Sequence, residues 1–320
     1  TTPISIFLPT YEMPMEIAYS LTSSFSVDSV TVGFFDGCHL GHSNLLSILT
    51  SYSGSSGVIT FDSHPQTVLS LNHTKLINTK EERLQLLQTF PIDWLGVLTF
   101  DLNFANQSAE EFLTLLHRNL KCKRLILGYD SCIGKEQQSN TEALDTIGKP
   151  LGIEVIKIPP YRMDNIVVSS KAIRQFLSAG NLECAHRFLG HPYAISGKIT
   201  EGSGIGGSLG FATINLPREE SLIPLGVYAC EIRYDSTTCQ GVMNLGTAPT
   251  FGRESLYAEA HIFSFAENLY GKEVSIIPRK FLREEKKFQS KETLIRAIEK
   301  DILDAQDWFA KGSFNYEGTA

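Results

Sequence analysis

The chain has 320 residues, 42% of them hydrophobic, enough for an ample core and for two domains. A net charge of −7 argues against the basic surface that a nucleic-acid partner needs, so bound anions must be met by local groups. The six cysteines show neither paired zinc-ligand spacing nor a dense disulfide framework, no apolar run reaches membrane-spanning length, and no charged leader opens the chain; the expectation is a cytoplasmic protein with no membrane partner.

Residues 1 to about 180 alternate short apolar runs with helical patterns, as a parallel sheet with crossover helices requires. Expected strands are Val30–Val32, Val58–Phe61, Trp94–Thr99, Arg124–Leu127 and Glu154–Ile158. Thr79-x-x-Glu82 and Ser108-x-x-Glu111 are capping boxes that open helices at Leu84–Phe90 and Phe112–Leu120. The first strand runs into Gly33-Phe-Phe35-Asp36-Gly-Cys-His39-Leu-Gly41-His42, followed at helical spacing by Leu45, Leu46, Ile48 and Leu49. A helix start there presents unpaired N–H groups and a partial positive charge, and a glycine between two imidazoles lets a phosphate approach the backbone. That is the chemistry of a nucleotide site.

In a doubly wound sheet, ligands sit outside the carboxyl ends of the strands, so the His39 turn, the Asp62-Ser-His64 turn and the Gly128 turn share one crevice. The last, Gly128-Tyr-Asp130-Ser-Cys-Ile-Gly134-Lys135, is not a P-loop: its glycines are one residue too far apart and Glu136 stands where a Ser or Thr is needed. Ser169-Ser170-Lys171-Ala-Ile173-Arg174 is a second helix start carrying hydroxyls and cations, with Ile173, Phe176 and Leu177 on one face and Gly180 as C-cap.

The His-x-Gly-His turn resembles the signature of the nucleotidylyltransferase superfamily, and Gly33 to Gly37 resembles its FMN adenylyltransferase branch, found in bacterial FAD synthetases. Thr60-Phe-Asp62-Ser-His64-Pro65 is similar to that family's Thr-Phe-Asp-Pro-His-Pro, and the Gly128 loop to its Gly-x-Asp-Phe-x-Phe-Gly-Lys, with Ser131 and Ile133 replacing both phenylalanines. The serine pair resembles Ser-Ser-Thr-x-Ile-Arg, with Lys171 for the threonine. The resemblance implies ATP and phosphate contacts from Gly33, Phe35, Asp36, Gly41, Ser169, Ser170 and Lys171, catalytic roles for His39, His42 and Arg174, and flavin contacts from Asp62, His64 and Asp130. The lost phenylalanines imply a looser flavin site.

After a short helix, Asn181 to Gly190, strands follow strands: Ala194–Thr200, Leu209–Leu216, Gly226–Tyr234, Gln240–Leu245, Leu256–Phe265 and Glu273–Leu282. This is the pattern of an antiparallel barrel, closed by a helix from Ser290 with Leu294, Ile298, Ile302, Ala305 and Phe309 on one face; the polar tail after Lys311 is expected to be loose. The expected division is residues 1–185, an α/β nucleotidylyltransferase-like domain, and 186–320, a six-stranded barrel.

Gly202-Ser-Gly204-Ile-Gly-Gly207 matches a dinucleotide fingerprint by letter but precedes a strand, so it is not a Rossmann site. Together with Gly210-Phe-Ala-Thr213-Ile-Asn215 it resembles the riboflavin kinase motif, Ala212 and Ile214 departing from Pro-Thr-Ala-Asn and Ile205 and Gly207 standing where basic residues are usual. Asn244-Leu-Gly246, Glu259-Ala-His261, Tyr270-Gly-Lys272 and Arg283-Glu-Glu285 resemble the same kinase in order, so the likeness to bifunctional riboflavin kinases/FMN adenylyltransferases covers nearly the whole chain. It implies nucleotide contacts from Gly202 and Gly210, Mg²⁺ at Thr213 and Asn215, flavin contacts from Asn244, Arg283 and Glu285, and Glu259 as catalytic base.

The FMN phosphate, with a second pKa near ~6, is already an anionic nucleophile at neutral pH. The ribityl hydroxyl of riboflavin is neutral and gains roughly 10²–10⁴-fold from a base. The implied substrates are riboflavin, FMN and ATP, the product is FAD, and a weak homo-oligomer stays open. Two alternatives also stay open: a nucleotidylyltransferase for another phosphorylated substrate, which leaves the barrel unexplained, and a flavin carrier with one site inactive.

Overall fold

In the computed structural model the described residues are 15–69, 74–135, 140–200, 211, 213–250, 253–265 and 269–312, with backbone alone for 248–250 and 253–255. The chain divides into two compact units, the first ending at Ser170 and the second starting at Lys171.

The first unit runs β1 (Glu16–Ala18), β2 (Ser29–Val32), α1 (Leu40–Ser51), β3 (Ser56–Phe61), α2 (Pro65–Leu69), α3 (Lys80–Leu87), β4 (Trp94–Leu98), α4 (Leu102–Ala105), α5 (Ala109–Leu115), β5 (Arg124–Leu127), α6 (Thr141–Gly148) and β6 (Glu154–Lys157). Its strands form one parallel sheet in the order β1-β4-β3-β2-β5-β6. Every residue of β3 and β4 is buried, as a sheet covered on both faces requires. The order reverses between β2 and β5, so the loops leaving these two strands diverge and open a crevice at their carboxyl ends.

All five expected strands of this unit are present, and β1 is an addition, three residues too short to show a period. Both capping boxes form, with Thr79 and Ser108 accepting from the backbone of Glu82 and Glu111. The helices start earlier than their apolar runs suggested and stop sooner: α3 ends at Leu87, and α5 gives way to a π-helical turn over Leu116–Leu120. A small hairpin, β7 (Arg162–Met163) and β8 (Ile166–Val167), turns through Asp164 and Asn165, both left-handed as such a two-residue turn requires.

The second unit contains α7 (Ser170–Ser178, starting at the division), α8 (Leu182–Leu189), β9 (Ile195–Lys198), β10 (Thr213–Arg218), β11 (Gly226–Tyr234), β12 (Thr237–Thr250), β13 (Arg253–Ile262), β14 (Glu273–Arg283) and α9 (Lys291–Ala310). Gly180, left-handed at φ +70°, ends α7 as expected. The six strands are antiparallel in the order β10-β13-β12-β11-β14-β9, and the bridge between Thr200 and Asn215 closes the ring. Ile214, Ala260 and Met243 lie side by side in the ladder and are buried inside the barrel, as are Leu216, Ala258 and Leu245. The alternate positions face outward, where α9 packs Ala305 and Phe309 against Ala229 of β11. The glycine-rich run at 201–210, with Gly202, Ile205, Gly207 and Gly210, lies outside the described residues, as do Ala212 and the tail from 313.

Candidate active sites

The turn after β2 sends neighbouring side chains to opposite faces of the sheet. Phe34 packs with the core on one face, and Phe35, buried and at φ 60°, with the core on the other. Gly33 is small because the Phe35 ring would lie 3.2 Å from a Cβ there. Asp36 is buried and turns its carboxylate inward, where Oδ1 accepts from the Ile77 backbone at 2.9 Å, while its carbonyl accepts from the Ser170 hydroxyl at 2.8 Å. Asp36 therefore fixes the turn and ties it to Ser170, the last residue of the same unit.

His39 caps α1, its Nδ1 accepting from the His42 backbone N–H at 3.3 Å, which leaves the ring proton on Nε2 in the neutral form. The two imidazoles are stacked, 3.6 Å between centroids and 13° apart. Burial first, and the neighbouring His39 second, hold His42 well below the ordinary histidine pKa, so it is neutral at pH 7. Its Nδ1 is buried with no hydrogen-bond partner among the described residues. Gly41 earns its place by packing: a Cβ there would meet the His39 ring and the Val168 carbonyl at 3.1 Å. Arg174 lies one turn into α7 from Ser170, with Lys171 beside it.

On the other face, a cavity of about 310 Å³ opens at the carboxyl ends of β2, β3, β4 and β5. Gly33, Phe34, Phe61, Pro65 and Phe100 line it from three of the loops, and Ser131 to Lys135 from the fourth. The turns after β2, β3 and β5 meet at this cavity through Phe34, Pro65 and Ser131 to Lys135, while the candidates His39, His42, Asp62, His64 and Asp130 are not among its lining residues. Phe61, Phe100, Phe104 and Phe112 form a chain of edge and tilted ring contacts, with centroids 5.1 to 5.9 Å apart. Aromatic surface is therefore plentiful although Ser131 and Ile133 are not aromatic, Ile133 being buried in the adjacent core. Asp62 joins the β3 and β4 turns. Burial raises its pKa, but hydrogen bonds from Thr99, Phe100 and Ser63 outweigh this and hold the carboxyl below its ordinary value. His64 sets its ring edge-on to Phe34 at 4.6 Å, and Asp130 is exposed beside the cavity loop.

Arg83 belongs to none of the sequence motifs. It is buried, and its guanidinium donates to the Phe34 carbonyl at 2.9 Å and the Phe61 carbonyl at 2.8 Å while lying 3.8 Å from the Phe34 ring centroid. An arginine inside a capped, charged helix reads in sequence as a solvated residue. Only the fold shows that it joins two loops of the cavity.

In the barrel, one row of the ladder crosses five strands: Arg283, Val227, Asn244, Glu259 and Asn215 are successive cross-strand partners. Directly opposed residues share a face, so four of the sequence candidates stand on one side of the sheet. Thr213, two residues before Asn215, donates its hydroxyl to Glu259 Oε1 at 2.6 Å. His261 follows on the same face of β13, opposite Thr213. Arg283 makes a two-pronged ion pair with buried Asp301 of α9, at 2.8 and 2.6 Å, which anchors that helix. A Cβ at Gly246 would overlap the Glu285 carboxylate and approach the Asn244 amide, so only a glycine leaves the Glu285 carboxylate room against this strand.

Fold and sites together define the class: a nucleotidylyltransferase fold followed by a kinase barrel. The FAD synthetase family model matches residues 22–172 and the riboflavin kinase model residues 189–309. The bifunctional riboflavin kinase/FMN adenylyltransferase of Buchnera aphidicola subsp. Acyrthosiphon pisum is 33% identical over 88% of this chain and 93% of its own length. That of Escherichia coli K12 is 32% identical over 88% and 92%. A solved Streptococcus pneumoniae structure, described as a macrolide-efflux protein, superimposes with a TM-score of 0.81 at 26% identity, covering 92% of this chain and 99% of its own. Among the described residues here, no helix is long and apolar enough to cross a membrane. The chain belongs to the bifunctional riboflavin kinase/FMN adenylyltransferase family.

Proposed function

We propose that this chain makes flavin cofactors at two separate sites, adenylylating FMN within residues 1–185 and phosphorylating riboflavin within residues 186–320. The interval between the two family matches, 173–188, contains this boundary, although the compact units divide earlier, at Ser170. The observation that carries the kinase assignment is the row of Asn244, Glu259 and Asn215 with Thr213 bonded to Glu259. For adenylyl transfer it is the stacked histidine pair at the start of α1.

In adenylyl transfer, a phosphate oxygen of FMN attacks the α-phosphorus of ATP, the bond to the β-phosphate oxygen breaks, and pyrophosphate leaves. No proton has to be removed from this nucleophile, so the protein's part is positioning and charge neutralisation. The Nε2–H of His39 and the neutral ring of His42 act as donors, joined by the α1 N–H groups at Gly41 and by Ser169 and Ser170; the family resemblance adds Lys171 and Arg174 as the cations for the phosphates. Gly33, Phe35 and Asp36 shape the turn. FMN occupies the aromatic cavity, and Asp62, His64 and Asp130 act at its rim.

In the kinase, Glu259 takes the proton of the ribityl hydroxyl as its oxygen bonds the γ-phosphorus of ATP and ADP departs. Thr213 directs its hydrogen at Glu259, leaving its oxygen lone pairs outward. No cluster of three acidic, His or Cys side chains that could cage a metal occurs among the described residues. Mg²⁺ needs no such cage, since it commonly rests on one or two protein oxygens, waters and substrate phosphates, and the Thr213 and Asn215 oxygens fit that donor set. Bound there, it would offset phosphate charge. Asn244, Arg283 and Glu285 lie on the flavin side, Arg283 by holding α9 in place.

The six cysteines are all free and the net charge is −7, which supports a cytoplasmic protein with no nucleic-acid or membrane partner. Riboflavin with MgATP, followed chromatographically, should yield FMN and then FAD. FMN without FAD, or neither product, would count against the two-site reading.

A further inference from the structure

The chain leaving β14 turns back across the outer face of the barrel, over two glycines. A Cβ at Gly226 of β11, where φ is +149°, would overlap the Arg283 carbonyl and press on the Glu284 Cα, and a Cβ at Gly246 of β12 would overlap the Glu285 carboxylate. Arg283 holds this segment from within: its Nη1 donates to the Glu284 carbonyl at 3.0 Å, and its guanidinium carbon lies 5.7 Å from the Phe288 ring centroid. The other prongs of the guanidinium, Nε and Nη2, go to the buried carboxylate of Asp301 at 2.8 and 2.6 Å. Asp301 thus fixes the residue that reaches both ends of segment 283–288, and the exposed Glu285 lies between those ends. Asn244 and Gly246 share one face of β12, and Asn244 is opposed to Glu259, so the Glu285 carboxylate stands on the side of the sheet that carries the base.

We propose that Asp301 is a positioning residue for riboflavin in the kinase reaction: through Arg283 it holds segment 283–288 across β11 and β12, with the Glu285 carboxylate in place to accept a hydrogen bond from riboflavin. This rests on the reading of the barrel as a riboflavin kinase. A carboxylate on a loose segment has to be ordered each time substrate binds, whereas a pinned segment carries that entropy cost in folding. A two-pronged arginine–carboxylate pair fixes orientation as well as distance. A buried pair of this kind adds little net stability over apolar side chains of the same volume, so its use here lies in orientation.

Asp301→Asn and Gly246→Ala test this in the full chain, with riboflavin and MgATP as substrates and FMN followed chromatographically. Asp301→Asn loosens the hold on Arg283, while Gly246→Ala leaves the ion pair alone and displaces the flexible Glu285 side chain with a methyl group. Each should raise the KM for riboflavin about tenfold, with kcat, the KM for ATP and FAD formation from supplied FMN little changed. Because both act on Glu285, the double variant should raise that KM by clearly less than the product of the single effects. A lower urea midpoint in Asp301→Asn with an unchanged KM for riboflavin would overturn the proposal, since Asp301 would then serve only to dock α9. Single effects that multiply in the double variant would overturn it too. Should Asp301→Asn fail to fold, Arg283→Lys, which keeps the buried charge paired but lacks the fork, decides in its place: an unchanged KM for riboflavin would overturn the proposal. No FMN from the unaltered protein would remove the kinase reading itself, and this inference with it.

Discussion

Thr213 donates its hydroxyl hydrogen to Oε1 of Glu259 at 2.6 Å, joining two residues 46 positions apart on neighbouring strands of the barrel. This orients both groups before any substrate binds: the carboxylate keeps one oxygen for a proton, and the hydroxyl keeps its lone pairs for a cation. Glu259→Gln keeps the shape and removes the base, so kcat for riboflavin phosphorylation should fall by roughly 10²–10⁴-fold with little change in the KM for ATP. Thr213→Ala should instead raise the Mg²⁺ concentration needed for half-maximal rate. Steady-state kinetics separates the two effects, and a fully active Glu259→Gln protein would leave Glu259 an ordinary strand carboxylate.

Arg83 holds two carbonyls, those of Phe34 and Phe61, that belong to different loops of the aromatic cavity. Burial lowers its pKa, and the nearby Asp36, Cys38 and Asp62 oppose that shift. Arg83→Met fills similar space but strands both acceptors, so it should destabilise the first domain by about 2–4 kcal/mol in urea unfolding and raise the KM for FMN. Unchanged stability and KM would mean that the bridge between the loops is incidental.

His186 gives the second domain an acid limit. Burial first, then the positive charge of Arg279 and the neighbouring His191, push its pKa from 6.5 down to about 3. Between those values the unfolded chain binds a proton that the folded chain does not, so stability is full above pH 6.5 and is lost as the pH falls toward 3. One such group changes the unfolding free energy by at most about 1.4 kcal/mol per pH unit. Urea midpoints from pH 7 to 4 should fall less steeply in His186→Phe than in the unaltered protein; parallel slopes would contradict the assignment.

Much of the fold was legible because its signals are local. The capping boxes at Thr79 and Ser108, the strand ends at Val32 and Leu127 and the alternation of β13 each depend on neighbours within a few residues. β1 was not legible: three residues carry no period, and the strand exists only because β4 offers an edge. At the sites, His39, His42, Thr213 and Glu259 were visible as motif residues, but the inward carboxylate of Asp36, the spending of Arg283 on Asp301 and the burial of Arg83 depend on partners far along the chain.

Two chemically different sites act independently in one chain under the proposed function, and paired variants assayed for both reactions distinguish this from a single shared site. With riboflavin and FMN supplied separately, His42→Ala should lose FAD formation by about two decades or more while retaining FMN formation, and Glu259→Gln should do the reverse. Loss of both activities together in either folded variant would mean that the two reactions do not have separate sites.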